Sequence, residues 1–255
     1  MKKTVISFLI FVLSITLAFL LTACAKREDV PECQHAYVEN NICSDCGEVM
    51  ASEGLEYTLN PDEKSYTVTG IGSFAGNDLF IGLYNGLPVT RIDEKAFFNC
   101  YDLTSVTIGN SVTSIGDSAF SNCCYLTSIT IPDGVTSIGD WAFSDCYYLT
   151  SVTIGNGVTS IGEGAFRDCW SLTSVTIGNG VTSIGDSAFS NCNSLTSITI
   201  PDDVTSIGNS AFSWCSSLTS IKYRGTEAEW NAIAKGYDWD KFTGNYTITY
   251  NYTGE

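Results

Sequence analysis

The sequence predicts a parallel β-solenoid with short helical turns, capped at both ends. The first observation is a 23-residue step that relates six cysteines and, three residues after each cysteine, six leucines. These residues are Cys100, Cys123, Cys146, Cys169, Cys192 and Cys215, and Leu103, Leu126, Leu149, Leu172, Leu195 and Leu218. The second observation is that every step repeats the same apolar pattern. A short fixed period indicates that each unit stacks on its neighbours to build one continuous core.

One repeat reads L-T-S-V/I-T-I-x-x-x-V-T-S-I-G-x-x-A-F-x-x-C-x-x, and five complete copies begin at Leu103 and end at residue 217. Val106 and Ile108 alternate with hydroxyl residues, which predicts a strand with one buried face. A second short strand follows, and a glycine permits the turn after it. The segment 119–123 then fits one helical or 3₁₀ turn on the opposite wall.

The signature I-G-x-x-A-F-x-x-C, first complete at Ile115, resembles the BspA-like leucine-rich repeats of bacterial and protozoan surface proteins. The resemblance covers about residues 55–252, because segments 65–71 and 84–89 are similar to that family's entry and 223–230 to its exit. It implies a leucine-rich-repeat solenoid. It also implies adhesion or partner binding, without a shared ligand.

Caps are predicted at both ends of the stack. Two alternating stretches around the Asn60-Pro61-Asp62 turn predict a β-hairpin over the first rung. At the other end Thr226 and Glu229 match a capping box, so we expect a helix to about Lys235, ended by Gly236. A last strand, at about residues 246–252, would then shield the sheet edge.

The N-terminus predicts export and lipidation. Lys2 and Lys3 precede an uncharged, mostly apolar run to Ala23, the layout of a secretory signal peptide. The segment 21–24 resembles a bacterial lipobox, in which Cys24 receives lipid and becomes the first mature residue. The alternatives are an uncleaved membrane anchor and an ordinary signal peptide with a chance cysteine. Lipidation would leave the protein extracytoplasmic and membrane-anchored at the cell surface.

A second group of cysteines precedes the repeats. Cys33, His35, Cys43 and Cys46 have the spacing C-x-H-x7-C-x2-C, followed by Gly47. Three thiolates and one imidazole make a tetrahedral zinc set, and the C-x-x-C-G pair resembles a zinc knuckle. The alternative outside the cell is a disulfide, Cys43–Cys46 or Cys33–Cys43. Metal analysis of protein purified without chelator distinguishes a structural zinc ion from a disulfide.

The predicted organisation follows from these segments. It comprises a lipoprotein-type signal peptide (1–23), a tether (24–32), a candidate zinc knuckle (33–49), an N-terminal β cap (55–85), the solenoid (86–223) and a C-terminal helix-strand cap (224–255). The net charge of −16 repels phosphate backbones and anionic lipid, which argues against nucleic-acid partners.

The repeat cysteines are predicted to be buried free thiols, because in-register side chains run parallel and keep their Cβ atoms too far apart for disulfides. Cys124 lies outside the column and is expected to be accessible. An acidic ladder also follows the 23-residue step: Glu94, Asp117, Asp140, Glu163 and Asp186, then Asn209. We expect these side chains to cap N–H groups of the helical turn. The functional alternative is a row of weak calcium sites.

The two residues after each cysteine vary most between copies, and there the chain carries clustered aromatics. With Trp141 on another variable position, the candidate ligand-binding residues are Tyr101, Tyr125, Trp141, Tyr147, Tyr148 and Trp170. Exposed aromatics with few charges suit protein or glycan contact. The alternative is packing against the next rung. The strand face instead carries serine and threonine hydroxyls.

Together these features predict a membrane-tethered binding protein, either an adhesin or a ligand-capture lipoprotein. A structural spacer of the cell envelope is the alternative. Catalysis has little support, because His35 is the only histidine and is already assigned to the candidate knuckle, so no Ser-His or Cys-His pair can form in the repeats.

Replacement of Cys24 by Ser tests the predicted lipid anchor. Without the acylated thiol the chain should leave the membrane fraction and appear, fully folded, in the soluble extracytoplasmic fraction. Fractionation followed by immunoblotting measures this. Unchanged retention in membranes would identify an uncleaved anchor instead.

Overall fold

The computed structural model describes residues 38–39, 41–43 and 47–254. In the repeats each turn of the coil, or rung, contributes a strand of three or four residues, a strand of two residues and a run of tight turns. Stacked rungs make three walls, which we call the wide sheet, the narrow sheet and the turn wall. The apolar side chains of all three walls meet in one core, which confirms the predicted solenoid.

The elements before the repeats are β1 (Val38–Glu39), β2 (Ile42–Cys43), β3 (Glu56–Leu59), β4 (Tyr66–Gly70), β5 (Asp78–Ile81), β6 (Leu83–Tyr84) and β7 (Leu87–Ile92). The repeats contain β8 (Ser105–Ile108), β9 (Ser114–Ile115), β10 (Ser128–Ile131), β11 (Ser137–Ile138), β12 (Ser151–Ile154), β13 (Ser160–Ile161), β14 (Ser174–Thr176), β15 (Ser183–Ile184), β16 (Ser197–Ile200), β17 (Ser206–Ile207) and β18 (Ser220–Tyr223). The helix α1 (Glu227–Ala232), β19 (Ala234–Lys235) and β20 (Thr247–Thr249) follow.

The sheets reproduce the period of the sequence. The wide sheet has eight parallel strands in the order β20-β18-β16-β14-β12-β10-β8-β5. The narrow sheet runs β19-β17-β15-β13-β11-β9-β7-β4-β3, with β6 beside β7. Val152 lies opposite Ile129 on one side and Val175 on the other, so each residue pairs with its own copies in the neighbouring repeats. This register places equivalent apolar side chains above one another.

A column of phenylalanines shows how the core is filled. Phe97, Phe120, Phe143, Phe166, Phe189 and Phe212 are each fully buried. Neighbouring rings stack with centroids 5.0–5.4 Å apart and planes within 15° of each other. Each ring therefore has an aromatic neighbour on both faces, except at the ends of the column.

The turn wall differs from the helical turn expected there. Ser118, Phe120 and Asn122 donate their backbone N–H groups to carbonyl oxygens of the next rung at 2.7–2.8 Å. Ser118 and Asn122 have left-handed φ values of 53° and 63°, which small polar residues tolerate best. Since alternate N–H groups point along the solenoid axis, they cannot close a helix. The wall is a run of tight turns that pairs with its neighbour much as a strand does.

The buried cysteines take part in the same inter-rung bonding. Cys123, Cys146, Cys169, Cys192 and Cys215 are free thiols whose Sγ atoms lie 3.1–3.4 Å from the phenylalanine carbonyl oxygen 26 residues earlier. Burial raises the pKa of the Cys123 and Cys169 thiols, and it raises the pKa of Cys146 and Cys192 well above the usual value. At the half-buried Cys100, burial raises the pKa to about 11. These five thiols therefore stay protonated, and the buried ones act as small hydrophobic groups with a weak donor.

Aspartates of the acidic ladder accept backbone N–H groups, as expected. These N–H groups belong to the next rung, however, and not to the aspartate's own turn. Asp117 Oδ1 accepts the backbone N–H of Asp140 at 2.9 Å, and Asp140 Oδ1 accepts that of Glu163 at 2.7 Å. Asp186 Oδ1 accepts the N–H of Asn209 at 2.7 Å. Each aspartate therefore joins its rung to the next, whereas the ladder's glutamates make no such bond among the described residues. The expected capping of a helical turn was wrong because no helix forms there.

The N-terminal cap contains a rung that the sequence concealed. The predicted hairpin is present, since β3 and β4 pair antiparallel. Beyond it, Leu79 and Ile81 of β5 lie opposite Val106 and Ile108 in the wide sheet. The interval between these paired strands is longer than the regular repeat, because the β6–β7 hairpin lies within it. The longer interval between β5 and β8 therefore concealed in the sequence that β5 packs as the first strand of the wide sheet.

The C-terminal cap also continues the solenoid. The capping box is confirmed, since Thr226 Oγ1 accepts the Glu229 N–H at 3.3 Å and Glu229 Oε2 accepts the Thr226 N–H at 2.7 Å. The helix nevertheless ends at Ala232 rather than Lys235. Lys235 instead pairs with Ile207 in the narrow sheet, and Gly236 continues that rung by donating its N–H to the Ile207 carbonyl. Sheet pairing displaced the last helical residues.

The phenylalanine column generates a stability prediction. Phe166→Ala should lower the free energy of unfolding by about 3–5 kcal/mol, because the cavity lies between two stacked rings. Neighbour coupling should spread the loss along the stack. Denaturant unfolding followed by circular dichroism measures it. Phe98→Ala is the matched control, since Phe98 is 45% exposed. Equal losses in both variants would contradict the inward assignment.

The acidic ladder generates a second prediction. Asp140→Ala should cost about 0.5–1.5 kcal/mol, because the Glu163 N–H loses its acceptor. Asp140→Asn should cost less, since an amide oxygen can still accept the bond. Asn209 already does so, accepting the Tyr237 N–H at 2.7 Å. Thermal unfolding of the two variants compares them, and equal destabilisation would refute the inter-rung role.

Candidate functional site

The variable residues after each cysteine lie at the corner where the turn wall returns to the wide sheet. Tyr101, Tyr125, Tyr148 and Trp170 are 48%, 53%, 56% and 49% exposed. Tyr147 is partly buried. These side chains therefore remain open to solvent although the backbone beside them is built into the stack.

Four of these aromatics form two short columns. Tyr125 stacks on Tyr148 with centroids 5.5 Å apart, and Tyr147 stacks on Trp170 at 4.5 Å. The interplanar angles are 16° and 25°. We call Tyr125, Tyr147, Tyr148 and Trp170 the aromatic edge. Packing between rungs and exposure to solvent occur together here, because stacking uses one face of each ring and leaves the rest accessible.

The backbone holds the aromatic edge in place. The Tyr148 N–H donates to the Cys124 carbonyl at 3.1 Å, and the Ser171 N–H donates to the Tyr147 carbonyl at 3.2 Å. Asp145 Oδ1 accepts the Tyr147 hydroxyl proton at 3.2 Å. Burial, and secondarily the Asp145 charge, raises the pKa of Tyr147. The phenol therefore remains a neutral donor to that carboxylate.

Tyr101 and Trp141 are separate from the two columns. Tyr101 occupies the same repeat position as Tyr147, but Cys124 occupies that position in the rung between them, so the two rings do not stack. The Tyr101 hydroxyl accepts a hydrogen bond from Asn122 Nδ2 at 3.2 Å. Trp141 lies on the turn wall, partly buried over Gly164, where an added Cβ would be 2.7 Å from the indole. Arg167 Cζ lies 5.3 Å from the Trp141 ring centroid.

Another group of exposed aromatics, at the C-terminal end of the stack, was not predicted from the sequence. The ring centroids of Trp214 and Phe242 lie 4.3 Å apart, and the two side chains are 52% and 55% exposed. Tyr237 is 77% exposed. Trp214 replaces the asparagine or aspartate that the earlier rungs carry before the cysteine. That substitution was visible in the repeats. The contact with Phe242 was not, because Phe242 belongs to the irregular last rung.

Three of the four candidate metal ligands, Cys33, His35 and Cys46, lie outside the described residues, and so does the predicted lipidation site Cys24. Cys43 is buried at the end of β2, and its carbonyl accepts the Gly47 N–H at 2.8 Å. Among the residues described, no three His, Cys, Asp or Glu side chains gather as a metal site. Zinc at the four-residue set stays a prediction, and so does calcium at the acidic ladder.

The remaining candidates contribute little chemistry. Cys124 is partly exposed, and its thiol contacts Asn122 Oδ1 at 3.1 Å. Burial, followed by the Asp145 charge, raises the pKa of the Cys124 thiol, so it is not an activated nucleophile. The outer face of the wide sheet carries exposed hydroxyls at Thr130, Thr153 and Thr176. Within the described ranges, no helix is long and apolar enough to cross a bilayer.

Comparison with known proteins identifies the repeats. Residues 90–219 match the BspA-type leucine-rich repeat region, with six copies. The crystal structure of a T. pallidum leucine-rich repeat protein is 29% identical, with a TM-score of 0.65 over 72% of this chain and 84% of that one. A leucine-rich cell surface protein from Faecalibacterium prausnitzii is 32% identical, with a TM-score of 0.50 over 68% of this chain. The chain spans only 55% of that protein's length.

A leucine-rich repeat protein from Eubacterium ventriosum shares the fold, with a TM-score of 0.59 at 20% identity over 81% of this chain and 53% of that one. No curated protein matches the chain. The matched region covers half of the sequence, and its repeats are the rungs described above. The chain therefore belongs to the BspA-type leucine-rich-repeat family.

Proposed function

We propose that this chain is a cell-surface, membrane-tethered binding protein that contacts a protein or glycan ligand through the aromatic edge. The observation that carries the proposal is the exposure of Tyr125, Tyr148 and Trp170 by about half on three consecutive rungs. A spacer would need no such side chains on its surface. Large aromatics supply contact area at low entropic cost, so they are enriched where proteins bind partners.

The scaffold suits the aromatic edge to binding because it fixes the rings before a ligand arrives. Backbone hydrogen bonds tie Tyr148 to Cys124 of the preceding rung and Tyr147 to Ser171 of the following rung. Stacking then restricts the rotamers of the side chains. A preorganised surface loses less conformational freedom on binding, which leaves more of the contact energy as affinity.

The proposed location rests on the N-terminal sequence and on one relative. The lipobox-like segment ending at Cys24 supports lipid anchoring outside the cytoplasm. The F. prausnitzii relative is described as a cell surface protein. An adhesin or a ligand-capture lipoprotein combines these two features.

A non-catalytic role is part of the proposal. Cys123, Cys146 and Cys169 are buried, and burial raises the pKa of their thiols. The ladder residues Asp117, Asp140 and Asp186 accept backbone N–H groups of the next rung. These thiols and carboxylates therefore have structural tasks in the stack, which account for them without an active site.

Changing Tyr125, Tyr148 and Trp170 together to Ser tests the proposal. Ser already occupies the Tyr148 position at Ser171 and the Trp170 position at Ser216, so the fold should be retained. Ligands identified by pull-down and glycan array with the soluble region from residue 51 should lose most of their affinity, since central aromatics carry most binding energy. The melting temperature should change little.

The control is the set of exposed threonines Thr130, Thr153 and Thr176, changed together to Ala. Binding that survives the aromatic variant and fails in the threonine variant would move the site to the wide sheet. Absence of any ligand for the folded wild-type protein would favour the structural spacer.

A further inference from the structure

We propose that the partner at the aromatic edge is a basic polypeptide segment whose arginine or lysine side chains contact both the rings and the carboxylates beside them. The inference rests on the binding role proposed above and specifies the chemistry of the partner. It follows from the charges around the edge, from the lack of any described cation over its rings, and from a contact that the chain makes with its own arginine.

Between Lys95 and Lys222 the solenoid carries almost only negative charge. Residues 96–221 contain ten aspartates and glutamates and a single basic residue, Arg167. Arg167 forms the one ion pair found in this described stretch, with Asp168 Oδ2 at 3.1 Å. The other nine carboxylates have no cationic partner there. The surface therefore attracts cations and repels anions before contact is made.

Two of these carboxylates border the aromatic edge. Asp102 occupies the position of Tyr125 one rung earlier, so it lies beside the ring on the side away from Tyr148, and it is exposed. Asp145 lies at the other column, where its Oδ1 accepts the Tyr147 hydroxyl at 3.2 Å. Each column thus has a carboxylate beside its first ring, Asp102 beside Tyr125 and Asp145 beside Tyr147.

The chain shows how such a surface holds a cation. Arg167 places its guanidinium 5.3 Å from the Trp141 ring centroid while its Nε donates to Asp168. The ring and the carboxylate act on one cation, a combination that strengthens cation–π contact when water is excluded. Asp102 and Tyr125 offer the same two groups. No described cation lies over any ring of the aromatic edge.

Desolvation distinguishes a basic partner from a neutral one. Any segment that covers the aromatic edge removes water from Asp102 and Asp145. A neutral or acidic partner would leave these carboxylates without a counter-charge, which opposes binding. A basic segment compensates both, and its long side chains can lie along the aromatic surfaces.

The test uses a double variant of the full chain, Asp102→Ser with Asp145→Asn, called here the edge variant. Both replacements occur elsewhere in the repeats, because Ser171 occupies the Asp102 position and Asn191 the Asp145 position. Asn also tolerates the left-handed backbone of Asp145, whose φ is 59°. The edge variant should therefore fold normally.

The matched control is Asp202→Asn with Asp203→Asn. It removes the same two charges at the opposite corner, between β16 and β17, where both side chains are exposed. The control separates the local effect of Asp102 and Asp145 from the effect of net charge. Equal melting temperatures of the variants would establish that both fold.

The probe is a synthetic ten-residue peptide of alternating Arg and Ser, compared with the corresponding Glu and Ser peptide by fluorescence anisotropy. The Arg peptide should bind the wild type, and more tightly at low salt. The edge variant should lose on the order of ten-fold in affinity, whereas the control should change less than about two-fold. The Glu peptide should not bind.

Three results would overturn the inference. Equal weakening by the edge variant and the control would show that only net charge acts. Arg-peptide binding that survives the Tyr125, Tyr148 and Trp170 change would place the cation elsewhere. A screened ligand that needs the three aromatics but is indifferent to the edge variant would refute a basic partner while leaving the proposed function intact.

Discussion

In-register stacking is the constraint on which the rest of this molecule depends. Because every rung repeats the same pattern, a polar group that points along the axis finds the same partner at each level. In the wide and narrow sheets these groups are the backbone N–H and C=O of paired strands. In the turn wall, alternate backbone N–H groups donate to carbonyl oxygens of the next rung. Gly139 shows how closely the rungs approach, since an added Cβ would lie 2.6 Å from backbone atoms of the rung before it.

Several invariant side chains of the repeat have their explanation in this axial bonding. Thr127, Thr150 and Thr173 donate their hydroxyl protons to the threonine carbonyl of the preceding rung at 2.9–3.1 Å. The cysteine thiols and the ladder aspartates also reach neighbouring rungs. Residues that would suggest nucleophiles or metal ligands in an irregular protein therefore stabilise the stack here.

Positions whose side chains make no invariant bond between rungs are those where function can vary. The two residues after each cysteine satisfy the stack with backbone atoms, so their side chains are not prescribed by it. Aromatic residues occupy them on consecutive rungs, and Asp102 and Asp145 adjoin them. Recognition is thus proposed at a corner of the solenoid, while the outer hydroxyls of the wide sheet stay uniform from rung to rung.

The sequence by itself determined the solenoid, its step, its inward residues and the variable positions, because one apolar pattern is repeated in five complete copies. It also predicted the last strand, β20, at the sheet edge. It could not reveal β5 or β19 as parts of rungs, since insertions make the local spacing longer than the regular repeat there. The helix end at Ala232 and the tight turns of the turn wall also depended on tertiary structure. In both places, hydrogen bonding to the neighbouring rung competes with local helix formation and replaces it, and only the stacked structure contains that neighbour. The pairing of Tyr125 with Tyr148, and of Tyr147 with Trp170, was likewise decided by the register.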